Sequence, residues 1–159
     1  KIYATIEGYG FSSGIGRTLS EPNSAGAASA INMAIENAGL SPWNIDYINA
    51  HATSTLSGDL AEAQAIHNIF GPDTPVSSTK SMTGHECWMS GASEVIYTIL
   101  MAAGGFVAPN INFKNLSANC PTINVIPETR QYRIKKALSN SFGFGGTNAA
   151  LILNFEETY

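Results

Sequence analysis

Three times in its first 105 residues the chain passes from a strand-like run to helical periodicity and then to a glycine or proline stop. Few folds accept that order. Successive strands joined through helices need crossovers that lie on the faces of a sheet, so a βαβαβα run commits the chain to a sheet covered by helices. Residues 1–10 alternate, with Ile2, Ala4 and Ile6 on one side and Tyr3, Thr5 and Glu7 on the other, which predicts a strand. Residues 11–21 are rich in Gly and Ser and read as a loop. Ser24 suits the N-cap of a helix over 25–38 with Ile31, Ala34, Ile35 and Ala38 on one face; Gly39 and then Pro42 end it in the expected order.

A second strand over 45–50 ends on His51 and is followed by a helix over 58–70, whose apolar face is Leu60, Ala63, Ile66, Ile69 and Phe70. Asp59 and Glu62 fall in its first turn, where the helix dipole favours negative charge. Gly71-Pro72 stops it, and residues 75–78 form a short strand. Residues 84–104 are apolar or small nearly all round, which predicts a helix that is the most buried element of the fold. Residues 113–133, with Pro121 and Pro127, read as irregular. Two closing strands, 136–140 and 147–155, flank a Gly-rich turn and run antiparallel. The fold class is therefore α/β, a mixed sheet of about five strands covered by helices. No internal repeat is present.

The chain has 159 residues, enough for one domain with its own core. Charged residues make up only 13%, about half the usual share of roughly 25%, as in a domain that hides surface against something else. The net charge of −4 and the lack of a basic run exclude a nucleic-acid binder; Arg130, Arg133, Lys135 and Lys136 read as a solvated turn. Two cysteines, Cys87 and Cys120, make neither a CxxC nor a disulfide framework and fit a reducing compartment such as the cytoplasm. No apolar run is long enough to insert in a membrane; 88–107 comes nearest but is interrupted by Ser90, Ser93, Glu94 and Thr98. Asn115-Leu116-Ser117 matches the glycosylation pattern by a motif that is easily met by chance. The start at Lys1, directly before a strand, reads as a cut from a longer polypeptide.

Two histidines stand at element ends, where α/β proteins place their chemistry. His51 follows the second strand and leads into Thr53-Ser54-Thr55, three hydroxyls where capping would need one. His85 precedes the long apolar helix; the positive end of that helix's dipole disfavours an imidazolium and favours a neutral donor to an oxygen gaining charge. The bland reading, a histidine that caps an element or fills a cleft, stands beside both. Lys80 lies in a segment with few charges: it is either an exposed loop lysine or a buried one that needs a carboxylate, and Glu62 is the best candidate. Phe142-Gly143-Phe144-Gly145-Gly146 can aim backbone N–H groups at an oxyanion, although any tight hairpin can contain such glycines. His85 and Cys87 are two apart and face different ways on a helix, so no metal site is expected. Trp88 beside Cys87 suggests a packed thiol and not a nucleophile.

Three segments in order, Asn49-Ala50-His51-Ala52-Thr53-Ser54-Thr55 with Gly58-Asp59, then Ser78-Thr79-Lys80-Ser81-Met82-Thr83-Gly84-His85, then Ser139-Asn140-Ser141-Phe142-Gly143-Phe144-Gly145-Gly146-Thr147-Asn148, make the chain resemble the C-terminal half of the β-ketoacyl-acyl carrier protein synthases. The resemblance implies one half of the duplicated thiolase fold, with residues 1–159 as a single domain and the N-terminal half, which carries the nucleophilic cysteine, absent. It implies that His51 and His85 hydrogen-bond the malonyl thioester oxygen, that Lys80 is the active-site lysine with Glu62 as its support, and that Thr53 and Thr55 hold the phosphopantetheine arm. Phe144 would gate the site and complete the oxyanion hole through its N–H, with Phe142 beside it. No cofactor is implied beyond substrates carried on phosphopantetheine. The implied partners are acyl carrier protein, the N-terminal half of the same parent, and a second subunit in a homodimer or synthase heterodimer.

The chain departs from the family pattern at Ala52, at Leu56 and, most heavily, at Glu86-Cys87-Trp88-Met89, where small residues and glycine are usual. Trp88 could line an acyl pocket, face a partner or fill space. Retention of His51, Lys80 and His85 favours a condensing enzyme. The competing reading is a non-catalytic partner subunit that sets chain length. A thiolase would carry a second cysteine near the final turn, and none is there.

Overall fold

The computed structural model describes residues 1–13 and 22–156. The elements are β1 (Thr5–Ser13), α1 (Ser24–Asn37), β2 (Tyr47–Asn49), α2 (Leu56–Phe70), β3 (Pro75–Ser77), α3 (Lys80–Thr83), α4 (Ser90–Gly104), β4 (Phe106–Val107), β5 (Asn124–Val125), β6 (Arg130–Gln131), β7 (Lys136–Phe142) and β8 (Thr147–Asn154). The main sheet has six strands in the order β1-β8-β7-β2-β3-β5. β7, β2, β3 and β5 run parallel, while β8 is antiparallel to both β7 and β1. The expected mixed sheet is there, with one strand more than expected. β5 arises in the stretch read as irregular, where Val125 pairs with Val76 although prolines flank it on both sides. β4 and β6 form a separate antiparallel ribbon.

Of the stretch 11–21 read as a loop, residues 14–21 lie outside the described residues, and residues 11–13 extend β1. The alternation expected at 1–10 does not mark the inward face. Gly8 and Gly10 are the buried positions of β1, while Ile6 is 67% exposed, and the register shifts between Ile6 and Gly8. The reason lies in α1, which presents Ala27, Ala30 and Ala34 to the sheet. A Cβ at Gly8 would lie 2.3 Å from the Ala34 carbonyl oxygen, and one at Gly10 1.9 Å from that of Ala30. Backbone therefore packs on backbone here, and no larger inward residue fits. The N-cap of α1 is Asn23 and not Ser24: its side-chain oxygen accepts from the N–H of Ala25 and Gly26. Gly39, with φ of 65°, closes the helix as expected.

The principal core lies between the sheet and α1 with α2, built on Ile31, Ile35, Ile48, Ile66, Leu138 and Ile152. Each such side chain contributes about 1.5–3 kcal/mol by leaving water. A smaller core of Tyr47, Met101, Val107, Ile126, Ile134 and Ala137 fills the space between the other face, α4 and the ribbon. Asp46 holds the start of β7 by accepting from the N–H of Lys135 and Lys136.

The expectation of a helix over 84–104 buried all round is corrected. Gly84 (φ 76°) and Cys87 (φ 53°) adopt left-handed conformations that no α-helix continues through, so α4 starts only at Ser90. Its inward face is polar: Ser90, Ser93, Glu94 and Thr98 are buried together with Met101. Its outward face is apolar, with Ile96 55% and Leu100 59% exposed. The all-round apolar character belongs to a helix with two working faces, only one of which this chain covers. Among the described residues, no helix is long and apolar enough to cross a membrane.

Candidate active site

The parallel strands β2 and β3 end side by side, and the residues just past them, His51 and Lys80, come from the crevice outside their carboxyl ends. β7, the other neighbour of β2, delivers Asn140 and Phe142 to the same end of the sheet.

The His51 turn is fastened by Glu62, in the second turn of α2. Glu62 is buried, and its two oxygens accept from the backbone N–H of His51 at 2.9 Å and of Ala52 at 2.7 Å. The amide of Asn140 donates to the first of these oxygens at 3.0 Å, which ties β7 to the same carboxylate. Burial raises the Glu62 carboxyl, while Asn140 and the two N–H groups pull it back. Glu62 is therefore not the partner of Lys80 expected from the sequence. That partner is Glu94, on the inward face of α4, which forms a buried ion pair with the Lys80 ammonium. Burial lifts the Glu94 carboxyl to about 7, against the pull of Lys80. Reading 84–104 as one continuous helix hides this pairing, because it misplaces the phase of everything after Gly84.

Asn49 is the residue that sequence reasoning missed. It is fully buried, its amide donates to the Glu94 carbonyl at 3.3 Å and to the Thr98 hydroxyl at 3.1 Å, and its oxygen accepts from the Thr79 N–H at 3.4 Å. One side chain thus links β2, the segment that leads to Lys80, and the helix that carries Glu94. An asparagine directly after the apolar pair Tyr47-Ile48 and before Ala50, where the strand ends, is the signal that could have found it.

The two histidine rings meet edge to face, with centroids 5.4 Å apart, and Phe142 lies 6.0 Å from His51 on a tilted plane. Burial, helped by the charge of Lys80 and by His85, pushes His51 down to about 3, so its ring is neutral at any physiological pH. Its Nδ1 is buried and has no hydrogen-bond partner among the described residues. The neutral imidazole that the sequence led one to expect at His85 through a helix dipole is thus found at His51 through desolvation. His85 lies five residues before α4, on an exposed connector, so the dipole argument does not reach it. Trp88 is likewise not one α-helical turn from His85. It sits in a 3-10 turn (Cys87–Met89) and is wholly exposed, at 104%.

Thr53 and Thr55 stand at the mouth with their hydroxyls 3.4 Å apart. Neither caps α2: Thr55 occupies the N-cap position without a side-chain bond to the helix N–H groups, and Asp59 instead reaches back to the N–H of Ser54 at 3.1 Å. Ser54 takes a φ of 68° to make that turn. Phe144 stands 84% exposed in the short turn Phe144–Gly146, where Gly145 and Gly146 have φ of 78° and 75° and the Gly143 N–H donates to the Thr147 carbonyl at 2.7 Å. The ring contacts join His51, His85 and Phe142; Phe144 lies two residues beyond them on an exposed tip. Cys120 has its thiol raised by burial, opposite to what a reactive thiolate needs, and Cys87 is exposed on the connector.

This arrangement brings two imidazoles together, that of His51 neutral, at the end of the sheet where the buried Lys80–Glu94 pair lies. Comparison with known proteins gives the chain's family. Residues 3–114 match the family described as Beta-ketoacyl synthase, C-terminal domain. The chain is 42% identical over 153 residues to 3-oxoacyl-[acyl-carrier-protein] synthase 1 of Escherichia coli K12, covering 96% of the chain and 37% of that protein. It is 46% identical over 154 residues to the enzyme of the same name from Haemophilus influenzae, with the same coverage. A beta-ketoacyl synthase from Burkholderia phymatum superposes with a TM-score of 0.90 at 38% identity, over 98% of this chain and 38% of that one. The ishigamide ketosynthase/chain length factor gives 0.91 at 34% identity, over 100% and 39%. A type II PKS acyl-carrier protein in complex with its ketosynthase gives 0.88 at 31%, over 97% and 39%. The chain thus spans between a third and two fifths of the length of these relatives, shares their thiolase-like fold, and belongs to the beta-ketoacyl synthase C-terminal domain family.

Proposed function

We propose that residues 1–159 form the C-terminal thiolase-like domain of a 3-oxoacyl-acyl carrier protein synthase and supply the decarboxylating half of its site. The observation that carries this reading is the His51–His85 ring pair, with His51 held neutral by burial. The thioester oxygen of a malonyl group on phosphopantetheine receives hydrogen bonds from the two imidazoles. The bond to the carboxylate carbon breaks, carbon dioxide leaves, and the electron pair becomes an enolate whose oxygen those donors stabilise. The enolate carbon then attacks an acyl thioester held on a cysteine. A carbon–carbon bond forms, and the cysteine leaves as a thiolate. Neither Cys87 nor Cys120 suits that nucleophile, which the N-terminal half of the parent supplies. Lys80 keeps a positive charge close to the departing carboxylate, Thr53 and Thr55 hold the phosphopantetheine arm at the mouth, and the Phe144 N–H completes the oxyanion hole when the other half closes on it.

The same reading supplies an occupant for the uncovered apolar surface. Ile96 and Leu100 of α4, and Tyr9 and Phe11 of β1, are large apolar side chains left open. Relatives whose length this chain covers to only 37% have polypeptide to spare for them, so these faces pack on the parent's N-terminal half. Acyl carrier protein is the substrate-bearing partner, and the complete protein works in the cytoplasm as a homodimer or synthase heterodimer. Two free cysteines fit that compartment.

A second reading, a subunit that sets chain length without catalysing, is favoured by one observation: a ketosynthase/chain length factor is among the most similar solved structures. The experiment supplies the purified parent with acyl- and malonyl-carrier protein, beside the isolated chain. Three-oxoacyl product from the parent and none from the fragment is expected. Product from the fragment alone would overturn the divided site; none from the parent, with Gln or Gly at the nucleophile position, would favour the second reading.

A further inference from the structure

The connector between α3 and α4 carries His85, yet few bonds of its own hold it. His85, Cys87, Trp88 and Met89 are exposed. The backbone turns at Gly84 and again at Cys87, a residue with a side chain in a left-handed conformation that surrounding structure must maintain. Within the connector, only the Met89 N–H to Glu86 carbonyl bond, at 3.2 Å, and a long contact from the Cys87 thiol to the His85 carbonyl, at 3.8 Å, are made. Glu86 behaves differently. It is partly buried, and its Oε1 accepts from the hydroxyl of Tyr97, in the second turn of α4, at 2.9 Å. The hydroxyls of Ser93 and Tyr97 hold its carboxyl below the usual range, so the acceptor is ionised at neutral pH and the bond is of the stronger, charge-assisted kind. Glu86 also stands immediately after His85, at a position where the sequence departs from the family pattern.

We propose that Glu86 is a positioning residue whose carboxylate clasps the connector to Tyr97 of α4 and thereby sets the place of the His85 ring against His51. The inference rests on the decarboxylating role given to His85 above. α4 is the suitable anchor because its inward face is already fixed through Glu94 and Thr98 to Lys80 and Asn49. The clasp therefore refers His85 to the same frame that holds the lysine, across a stretch where helix geometry cannot do so.

The test uses the full-length protein with Glu86→Ala, Glu86→Gln, Tyr97→Phe and the double variant Glu86→Ala/Tyr97→Phe. Three readouts are taken: amide hydrogen exchange over residues 84–89, carbon dioxide release from malonyl-carrier protein, and acyl transfer to the nucleophile. Glu86→Ala should speed exchange by about 10-fold and lower the kcat of decarboxylation by about 10-fold, since small misplacements of a reacting group are costly. KM and acyl transfer should stay within about twofold, a split that general loss of folding would not give. Glu86→Gln, which keeps an acceptor oxygen, should recover most of the loss. Tyr97→Phe, which removes one hydroxyl from a ring that stays in place and leaves that of Ser93, should reproduce a large part of the Glu86→Ala effect, and the double variant should be no worse than Glu86→Ala alone. Unchanged exchange and kcat in Glu86→Ala, or full additivity in the double variant, would overturn the clasp. A parent that never decarboxylates would instead overturn the functional reading, with hydrogen exchange still judging the clasp.

Discussion

His51 and His85 face each other across 5.4 Å, but the molecule holds them by opposite means. His51 stands on a turn whose backbone is fastened by a buried carboxylate, next to a buried ion pair and a fully buried asparagine. His85 stands on an exposed connector with two left-handed residues, tied to α4 through the side chain of its neighbour Glu86. One ring is placed by desolvated polar bonds that are expensive to break. The other is placed by a bond that solvent can reach. In the two-donor site proposed above, one donor is thus held by the buried frame and the other by the clasp.

The sharpest way to break the contrast is to attack the buried side. Lys80→Met leaves Glu94 buried without its cation and should cost about 3–5 kcal/mol of stability, read from the denaturant midpoint of the full-length protein. Replacing both partners, Lys80→Met with Glu94→Leu, should restore much of that loss; if the double variant is no better than the single, the pair is not a closed unit. Next in size is catalysis. His51→Ala and His85→Ala should each slow malonyl decarboxylation by about 100-fold or more, as loss of one oxyanion donor does, with acyl transfer suffering less. Equal losses from rings held so differently would show that the chemistry is shared, while an unaffected His85→Ala would leave His51 to act alone.

A smaller effect reads the buried ring by pH. His51 titrates near 3 folded against 6.5 unfolded, so the stability it contributes is fully present above pH 6.5 and is lost as pH falls toward 3. Glu94, raised from 4.5 to about 7, contributes stability below pH 4.5 that is lost as pH rises through 7. Comparing His51→Gln with the parent cancels the Glu94 contribution. The variant should gain on the parent by about 1.4 kcal/mol for each pH unit below 6.5, measured by urea denaturation between pH 4 and pH 7. The smallest effect belongs to the connector. Trp88→Gly should leave decarboxylation within about twofold and stability within about 0.5 kcal/mol, while shifting kcat/KM across a series of acyl-carrier substrates toward longer or more varied chains. An unchanged selectivity profile would reduce the indole to surface cover.

What the sequence made legible follows the same division. The turns after β2 and β3 could be read because each lies at a strand end, where periodicity stops abruptly and polar residues begin; His51, Lys80 and the Gly-rich turn were found that way. The partner of Lys80 could not be read. Glu94 lies on a helix whose starting phase depends on Gly84 and Cys87, and a left-handed cysteine announces itself in no local pattern. The inward face of α4 was inverted for a related reason. Hydropathy assigns apolar residues to the interior, whereas here Glu94 and Thr98 are drawn in by Lys80 and Asn49 while Ile96 and Leu100 look out. β5 was missed because a strand of two residues between prolines has no period to detect.

The seam between β1 and α1 carries a further consequence. Gly8 and Gly10 lie against the carbonyls of Ala34 and Ala30, with the Ala38 methyl beside Gly8, so the distance from helix to sheet is set almost wholly by main-chain atoms. Such a seam acts as a ruler. Elsewhere in the molecule a methylene can be added or removed and neighbours can repack, but here any inward substitution must lift the whole helix off its strand. The spacing of these two layers is thereby a fixed dimension of the domain, closed to small side-chain adjustment and open only to a change of backbone.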